Sequence, residues 1–292
     1  MNAIAAITLR NLRIYFRDRL GVFFSLLGAL VLFLLYMLFL RSLQTSSLEG
    51  SFPNADSATI SAFVDTWMFA GIIGVTTITT GLGAFSTFVD DAAAGRFRDF
   101  VASPIRRSHL VLGYLLSSAT VALSMSLLIL ALSCVYMLVV DGLLLTAAQL
   151  LIVVAEVALS CLGFAALSAF VVSFVRTPGA FAALSTIVGT TLGFLAGAYV
   201  PIGLFPEAVQ SVINALPFGQ AATLIRAQLS EQTLLALTDG QPAAADQLRA
   251  FFGITATIGD WAVPAGYVVG VLLTMAAVFT TLAALRMRRR LA

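Results

Sequence analysis

The chain has 292 residues, of which 60% are apolar and 10% are charged, and its net charge is +2. Soluble domains carry about 25% charged residues, so this composition excludes a soluble enzyme, a disordered chain and a nucleic-acid-binding module. All 16 basic residues are arginines. Without a lysine the chain lacks a Walker A nucleotide loop and a Schiff-base lysine. The sequence therefore predicts an integral membrane protein.

Residues that build metal or catalytic sites are scarce in this sequence. His109 is the only histidine, and we expect it to anchor a span at the membrane surface. Cys134 and Cys161 lie in apolar runs without metal-ligand spacing and are expected to be core residues. The sequence contains no paired-carboxylate or Ser-His-Asp pattern, so we predict no catalytic residue and no metal site.

Six apolar runs are long enough to cross a bilayer, whose core needs about 20 apolar residues per helix. They comprise residues 22–40, 67–89, 110–140, 143–175, 180–200 and 263–285. The first run is too long for the apolar part of a cleaved signal peptide, so we expect it to remain as a span. The predicted fold class is therefore an all-α integral membrane protein with six transmembrane helices in a single domain, 1–292.

The arginines predict how the chain is oriented in the membrane, because cytoplasmic loops carry an excess of basic residues. If both termini lie in the cytoplasm, all the arginines except Arg41, Arg226 and Arg249 face the cytosol. Most acidic residues, among them Asp65 and Asp141, then fall on the outer side. We therefore predict that both termini are cytoplasmic.

The segment before the first span, residues 1–20, is predicted to be an amphipathic helix on the cytoplasmic membrane surface. Arg10, Arg13 and Arg17 recur at helical spacing and line one face. We expect this face to meet lipid headgroups or a partner protein. The alternative is a basic anchor that only sets the topology.

The loop between the second and third spans, residues 90–107, has the most informative pattern. Its apolar residues stand at helical spacing, namely Phe97, Phe100, Val101 and Pro104. The charged residues of this short helix project from its other faces, namely Arg96, Arg98 and Asp99. Proline ends the helix. An exposed aromatic ridge rimmed by arginines is typical of a protein docking site.

The last outer loop, residues 201–262, is expected to form short helices. Pro206, Pro217 and Gly219 divide its first half into pieces of about one to three turns, which are too short to span a bilayer. Irregular backbone at membrane depth is tolerated only where it is buried in protein or lines an aqueous path. We therefore expect a partly re-entrant lid over an exit path, with a folded external loop as the alternative.

These features together resemble the membrane subunits of ABC type-2 exporters, a family that includes permeases for daunorubicin-like drugs, polysaccharides and teichoic acids. The resemblance covers nearly the whole chain and includes Ser103 to Arg106 followed by Leu110 and Gly113. It implies that residues 90–107 form the coupling helix that docks on a separate ATPase subunit. This sequence departs from the family at Tyr114, where a lysine is frequent, and in the additional stretch Glu231 to Asp260.

The resemblance also assigns roles to individual residues and partners. It assigns ATPase coupling to Arg96, Phe97, Arg98, Asp99, Phe100, Val101, Ser103, Pro104 and Arg106. It assigns the outer gate to Pro206, Pro217 and Phe218. It implies two ABC ATPase subunits, which would bind ATP and Mg²⁺, so this chain itself would need no cofactor. It further implies a second permease copy in a homodimer, contact with membrane lipids, no nucleic acid, and location in the cell membrane.

Several polar residues inside the predicted spans are candidates for a translocation path. Glu156 is the one acidic residue deep inside a span, where it serves either as a polar contact or proton site in the path or as a helix-to-helix hydrogen bond. Thr76, Thr80 and Thr190 could line a polar path. Hydroxyl groups that bond within their own helices account for these threonines equally well.

The function that this sequence favours is an ATP-driven export permease for an amphiphilic or hydrophobic cargo, such as a drug or a lipid-like molecule. An exporter of a polysaccharide or a teichoic-acid-like glycolipid is the alternative. An ion-coupled carrier is more remote, because such carriers usually contain internal repeats and we find none. An intramembrane lipid-processing enzyme is also remote, since Glu156 stands without a neighbouring acid–base group.

Overall fold

The computed structural model describes residues 2–97, 100, 105–259 and 261–290, and for residues 288–290 the backbone alone. The described chain is almost entirely helical, as predicted. Its α-helices in chain order are α1 (Ala3–Arg17), α2 (Arg19–Leu35), α3 (Arg41–Ser51), α4 (Ser57–Ala84), α5 (Ser86–Ala93), α6 (Arg107–Val140), α7 (Ala147–Val172), α8 (Pro178–Leu195), α9 (Glu207–Ala215), α10 (Pro217–Leu237), α11 (Pro242–Phe251) and α12 (Ala265–Arg290).

The described residues contain six helical stretches that are long and apolar enough to cross a membrane, which confirms the predicted fold class. They are Arg19–Ser51, Ser57–Ala93, Arg107–Val140, Ala147–Val172, Pro178–Leu195 and Ala265–Met287. A π-helical turn, Tyr36–Leu40, joins α2 to α3 within the first stretch. The second stretch begins at Ser57 instead of residue 67, so Asp65 lies inside a buried helix and not in an outer loop.

Helix α4 is the centre of the bundle and packs against α2, α3, α6, α7, α8 and α10. Small residues allow these close contacts, as is usual between helices in lipid. Ser118 of α6 donates a hydrogen bond to the Gly81 carbonyl of α4 at 2.7 Å. About two turns earlier on α4, Gly74 lies against Ala222 of α10, and a Cβ atom at Gly74 would be in ordinary van der Waals contact with the Ala222 methyl group at 3.5 Å.

The last outer loop contains one helix that is longer than the sequence predicted. Helix α10 has 21 residues, which is about six turns, whereas α9 and α11 have the expected short length. Pro217 stands in the first turn of α10, where its missing N–H costs nothing, so it begins a helix instead of breaking one. Gly219 lies inside α10 and does not break it. This position requires a glycine, because a Cβ atom there would collide with the carbonyl oxygen of Ile213.

The additional stretch Glu231 to Asp260 packs on the predicted outer end of α4, apart from Asp260 itself, which lies outside the described residues. The Phe252 ring contacts Phe63 and Trp67 edge to face, with ring centroids 5.0 and 5.4 Å apart. The Trp67 indole donates a 2.7 Å hydrogen bond to the Phe252 carbonyl. A two-stranded antiparallel hairpin follows, pairing Thr257–Ile258 with Trp261–Ala262. The stretch is therefore an integral part of the outer half of the bundle.

Arg226 of α10 holds the predicted outer half of the bundle together from a fully buried position. Its Nη2 atom donates to the carbonyls of Ala196 and Gly197 at 2.6 and 2.7 Å, and its Nη1 atom donates to Gly253 at 3.3 Å. The guanidinium also lies 5.7 Å from the Trp67 ring centroid, within cation–π range. Ala196 ends α8, and the negative end of a helix dipole stabilises a cation there. Backbone dipoles therefore compensate this buried charge.

Gly197 and Gly253 allow two of these carbonyls to reach Arg226. Both have left-handed backbone conformations, with φ of +61° and +64°. A side chain is strained in this region, and a Cβ atom at Gly253 would lie 2.5 Å from Ile202. The two glycines bring the end of α8 and the end of α11 onto the same guanidinium.

Replacement of Arg226 by methionine should lower the free energy of unfolding by about 3 kcal/mol or more, because three buried carbonyls lose their donors. The control is Arg249→Met. Arg249 pairs with Glu231 and Asp246 at a partly exposed position, where such pairs contribute about 1 kcal/mol or less. Denaturant unfolding in detergent micelles measures both. Equal stability of the two variants would contradict the role given to Arg226.

Candidate functional site

A buried carboxylate joins three helices at the predicted cytosolic end of the bundle. The Asp91 side chain is fully buried and accepts a two-pronged ion pair from Arg10 of α1, at 2.6 and 3.0 Å. Arg96 donates a further hydrogen bond to Asp91 at 2.6 Å, and the Tyr114 hydroxyl of α6 donates to its other oxygen. These four residues are called the Asp91 cluster below.

The local backbone explains how Arg96 reaches Asp91. Helix α5 ends at Ala93, and Gly95 follows with a φ of +72°, a conformation that favours glycine. The chain then turns back, so that the Arg96 amide donates to the Asp91 carbonyl at 3.0 Å. The first residues of the predicted coupling loop are thus fixed to the end of the second span.

Helix α1 packs along α6 through a small-residue contact. Ile7 covers Gly113 so closely that a Cβ atom there would lie 2.6 Å from the isoleucine side chain. Thr8 donates to the Gly113 carbonyl at 3.2 Å, and Asn11 donates to Ser117 at 3.4 Å. Close packing and hydrogen bonds therefore attach the amphipathic helix α1 to the bundle.

The three arginines predicted to share one face of α1 have different environments. Arg10 is partly buried, and its hydrogen bond to Asp91 raises the pKa of the guanidinium above its ordinary value. The expectation that Arg10 faces lipid headgroups or a partner is therefore wrong, because a buried carboxylate takes its charge. Arg13 and Arg17 are exposed, as that expectation requires.

The exposed aromatic ridge predicted from the coupling loop is not present in that form. Phe97 is buried and packs against Phe88 and Tyr114, with ring centroids 5.0 and 6.2 Å away. Phe100 is partly buried, 5.6 Å from the Arg10 guanidinium. The ion pairs at Asp91 pull the start of the loop onto the bundle, so Phe97 completes the core instead of facing the cytosol.

The remaining predicted coupling residues divide into two groups. Arg96 and Arg106 are exposed at the two ends of the loop, and Arg106 directly precedes α6. The other five lie outside the described residues, namely Arg98, Asp99, Val101, Ser103 and Pro104.

A cavity of about 370 Å³ with several polar lining groups lies beside the Asp91 cluster, between α1, α2 and the α4–α5 junction. Its lining carries hydroxyl and charged groups from all of these elements, including Tyr15, Asp18, Ser25, Asp90 and Arg96. This cavity lies on the same side of the molecule as the coupling loop. Its charged and hydroxyl groups distinguish it from the mostly apolar cavities elsewhere in the bundle.

The predicted path residues do not converge on one site. Glu156 lies in α7, and its buried Oε2 atom accepts no hydrogen bond from the described residues. Thr76 and Thr80 are buried and donate to carbonyls of their own helix, Ile72 and Thr76, at 2.7 and 2.6 Å. Thr190 is exposed on α8 and also bonds within its own helix. The hydroxyl groups of all three threonines therefore bond within their own helices, which is the alternative to lining a polar path.

Of the predicted gate residues, Phe218 has the most extensive contacts. Its ring stacks on Phe164 of α7 at a centroid distance of 5.4 Å and lines a mostly apolar cavity of about 260 Å³ between α4, α7 and α8. Pro206 is exposed and directly precedes α9, and Pro217 begins α10. The gate residues therefore lie at helix starts, away from the Asp91 cluster.

Sequence reasoning missed the role of Asp91, which it used only as the end of a span, and of Tyr114, which it noted only as a departure from the family. The adjacent acids Asp90 and Asp91 look alike in sequence, yet one is exposed and the other is buried. An acid directly after an apolar run, with several arginines within the preceding and following loops, is the signal that could have suggested an ion-pair cluster.

Comparison with known families accounts for this architecture. The sequence profile of the ABC-2 type transporter family matches residues 2–229, which is more than three quarters of the chain. The chain belongs to the ABC-2 type transporter family. No individual curated protein matches it.

Membership of this family has direct consequences for the ABC-2 chain described here. It is a multi-pass membrane protein and the membrane subunit of an ABC exporter, with an ABC ATPase subunit as its partner. The match includes the Asp91 cluster and Arg226 but ends before the additional stretch Glu231 to Asp260.

The structure predicts that the Asp91→Asn substitution releases α1 and the coupling loop. We expect a stability loss of about 1–2 kcal/mol, below the 3–5 of a wholly buried pair, because Arg10 and Arg96 remain partly exposed. Trypsin should cut after Arg13 and Arg17 several times faster. The matched control is Asp90→Asn, an exposed neighbour. Equal cleavage rates in the two variants would show that Asp91 does not hold α1.

Proposed function

We propose that this chain is the permease of an ATP-driven exporter that moves an amphiphilic or hydrophobic cargo outward. Two copies of the chain would enclose the path, and two ATPase subunits would dock on the coupling loops from the cytosol. The observation that carries the proposal is the Asp91 cluster, because it connects the loop that the family docks on its ATPase to two separate helices.

The Asp91 cluster supports transmission of force from the ATPase. Arg10, Asp91, Arg96 and Tyr114 belong to α1, α5, the coupling loop and α6, and charge-assisted hydrogen bonds fix their relative positions. A displacement of the loop by an ATPase would therefore move these elements together. The buried position of Phe97 adds van der Waals contact to the same connection.

The unburied faces of two spans support a second copy of the chain. Only 11% of the apolar window of Arg19–Ser51 and 17% of that of Pro178–Leu195 is buried within one copy, against 83% for Ser57–Ala93. Helices with so little internal contact face either lipid or another subunit. A homodimer built on α2 and α8 would place its central path between these helices.

Apolar surfaces inside the bundle support an amphiphilic or hydrophobic cargo. The cavity beside Phe218 is lined by apolar side chains, apart from the hydroxyl groups of Ser168 and Thr191. Such a lining solvates alkyl or aromatic groups and offers few donors for a charged polymer.

The Arg106→Glu substitution tests the coupling assignment. Arg106 is exposed beside the loop, so reversing its charge should weaken binding of the ABC ATPase that co-purifies with the native chain by about tenfold and leave folding intact. The control is Arg176→Glu, which reverses an exposed charge in the other cytosolic loop. Binding and cargo-stimulated ATP hydrolysis are the measurements. Native binding by Arg106→Glu would refute this docking site.

Cysteine labelling tests the orientation with both termini in the cytoplasm. In a variant lacking Cys134 and Cys161, Arg176→Cys should react with a membrane-impermeant maleimide only after cells are opened. Gln241→Cys, which is exposed at the start of α11, should react in intact cells. The opposite pattern would invert the proposed topology and with it the direction of transport.

A further inference from the structure

An ion pair between a partly exposed arginine and a buried carboxylate lies at the predicted outer ends of the first two spans. Arg41, directly after the π-helical turn, donates to both oxygens of Asp65 in α4 at 2.9 and 3.0 Å. The Asp65 side chain is fully buried. The π-helical turn is itself fixed to α4, because the Tyr36 hydroxyl donates to the Val64 carbonyl at 3.2 Å. Spans one and two are thus joined near the outer surface.

A second carboxylate, Asp141, adds an uncompensated negative charge to this pair. It directly follows the last residue of α6 and lies near Asp65. Its Oδ2 atom is buried and receives no hydrogen bond from the described residues. Burial and the neighbouring Asp65 raise the pKa of Asp141 to about 6. Arg41, Asp65 and Asp141, called the outer acidic cluster, together carry one excess negative charge when ionised.

An apolar groove of about 360 Å³ lies between α2, α4 and α6, and Val140, the residue directly before Asp141, is part of its lining. Its walls are formed by aliphatic and aromatic side chains, including Phe33, Phe69, Ile72, Leu132 and Val139. Tyr136 and Val140 line the end of the groove nearest to Asp141. The Tyr136 hydroxyl donates to the Met37 sulfur at 3.4 Å and lies near Asp65, so the acidic groups are close to this end of the groove.

We propose that this groove and the outer acidic cluster form a binding site for an amphiphile of the outer leaflet that carries a protonated amine. The alkyl portion lies against Phe33, Phe69 and Leu132, and the ammonium group donates to the free oxygen of Asp141. The assignment deepens the exporter proposal and rests on it for the role of the site, which is to hold cationic cargo on the outer side.

The charge and shape of the site favour an ammonium group over other occupants. A single positive charge balances the cluster, and the ammonium donors satisfy an oxygen that has none. The described residues contain no group of three acidic, histidine or cysteine side chains that could hold a metal ion. An anionic amphiphile would add a second uncompensated negative charge beside Asp65 and Asp141.

Binding of a fluorescent long-chain alkylammonium to the purified chain in phosphatidylcholine nanodiscs tests the site. Asp141→Asn should weaken this binding by about tenfold, and it should not unfold the protein because it relieves repulsion with Asp65. Asp56→Asn, an exposed outer acid, is the matched control. Leu132→Trp should fill the groove and weaken binding similarly, whereas Leu128→Trp, one turn away and outside the groove lining, should not.

Acidification provides an independent measurement. Because the ammonium needs ionised Asp141, lowering the pH through about 6 should weaken binding to the native chain and leave the weak binding of Asp141→Asn unchanged. The other ionisable groups near Asp141 are Arg41, Asp65 and Tyr136, and Arg41 holds Asp65 in a two-pronged ion pair.

Three results would overturn the assignment. They are native affinity in Asp141→Asn, equal affinity for an alkyl alcohol of the same chain length, and competition by a short-chain amine as strong as by the long-chain probe. The binding assay contains no ATPase, so a failure of ATPase coupling leaves its result intact. Conversely, normal ATPase coupling together with unchanged alkylammonium binding by Asp141→Asn would refute the binding site and leave the exporter proposal intact.

Discussion

A carboxylate removed from water must keep compensating partners, and at Asp91 this requirement organises one whole end of the molecule. Two arginines and a tyrosine hydroxyl supply the compensation, and each comes from a different part of the chain. Their separation in sequence is what makes the cluster a structural junction. Arg10 can reach Asp91 only if α1 lies along α6, and Arg96 can reach it only if the chain reverses at Gly95. Burial of one charge therefore fixes the position of the amphipathic helix and the start of the coupling loop.

The outer half meets the same requirement with other chemistry. Arg41 compensates Asp65 directly, whereas Arg226 is compensated by backbone carbonyls and the Trp67 ring. The ion pair at Asp65 and the buried guanidinium of Arg226 join different parts of the chain. An ion pair joins two side chains, but a guanidinium surrounded by carbonyls joins the backbones at the ends of α8 and α11 to α10. The Gly253 carbonyl belongs to the additional stretch, so this guanidinium also attaches that stretch to α10.

Hydropathy and arginine placement were sufficient to predict the spans, because membrane insertion acts on long apolar segments and is nearly independent of partners. The internal positions of charged residues were not predictable in this way. Arg10 and Asp91 are 81 positions apart, and no periodicity connects them. Phe97 was placed on an exposed face because helical spacing gives the direction of a side chain and not what covers it. Hydropathy alone assigns Asp65 to an outer loop. Its helix begins earlier than hydropathy predicts, among protein neighbours, where burial does not require an apolar sequence.

Charged clusters lie near both ends of the α4–α5 stretch, and this placement connects the two halves of the molecule. Asp65 lies in its first third, and Asp91 follows it on α5 after a single turn at Phe85, which places the two acids about 39 Å apart along the helical path. Between them α4 is the most buried of the spans and packs closely, so it resists bending. Under the proposed function, a displacement of the coupling loop would act through Asp91 on this stretch, whose other end holds Arg41 through Asp65. Work done by the ATPase at the cytosolic end would then reach the outer acidic cluster through the packed helices α4 and α5.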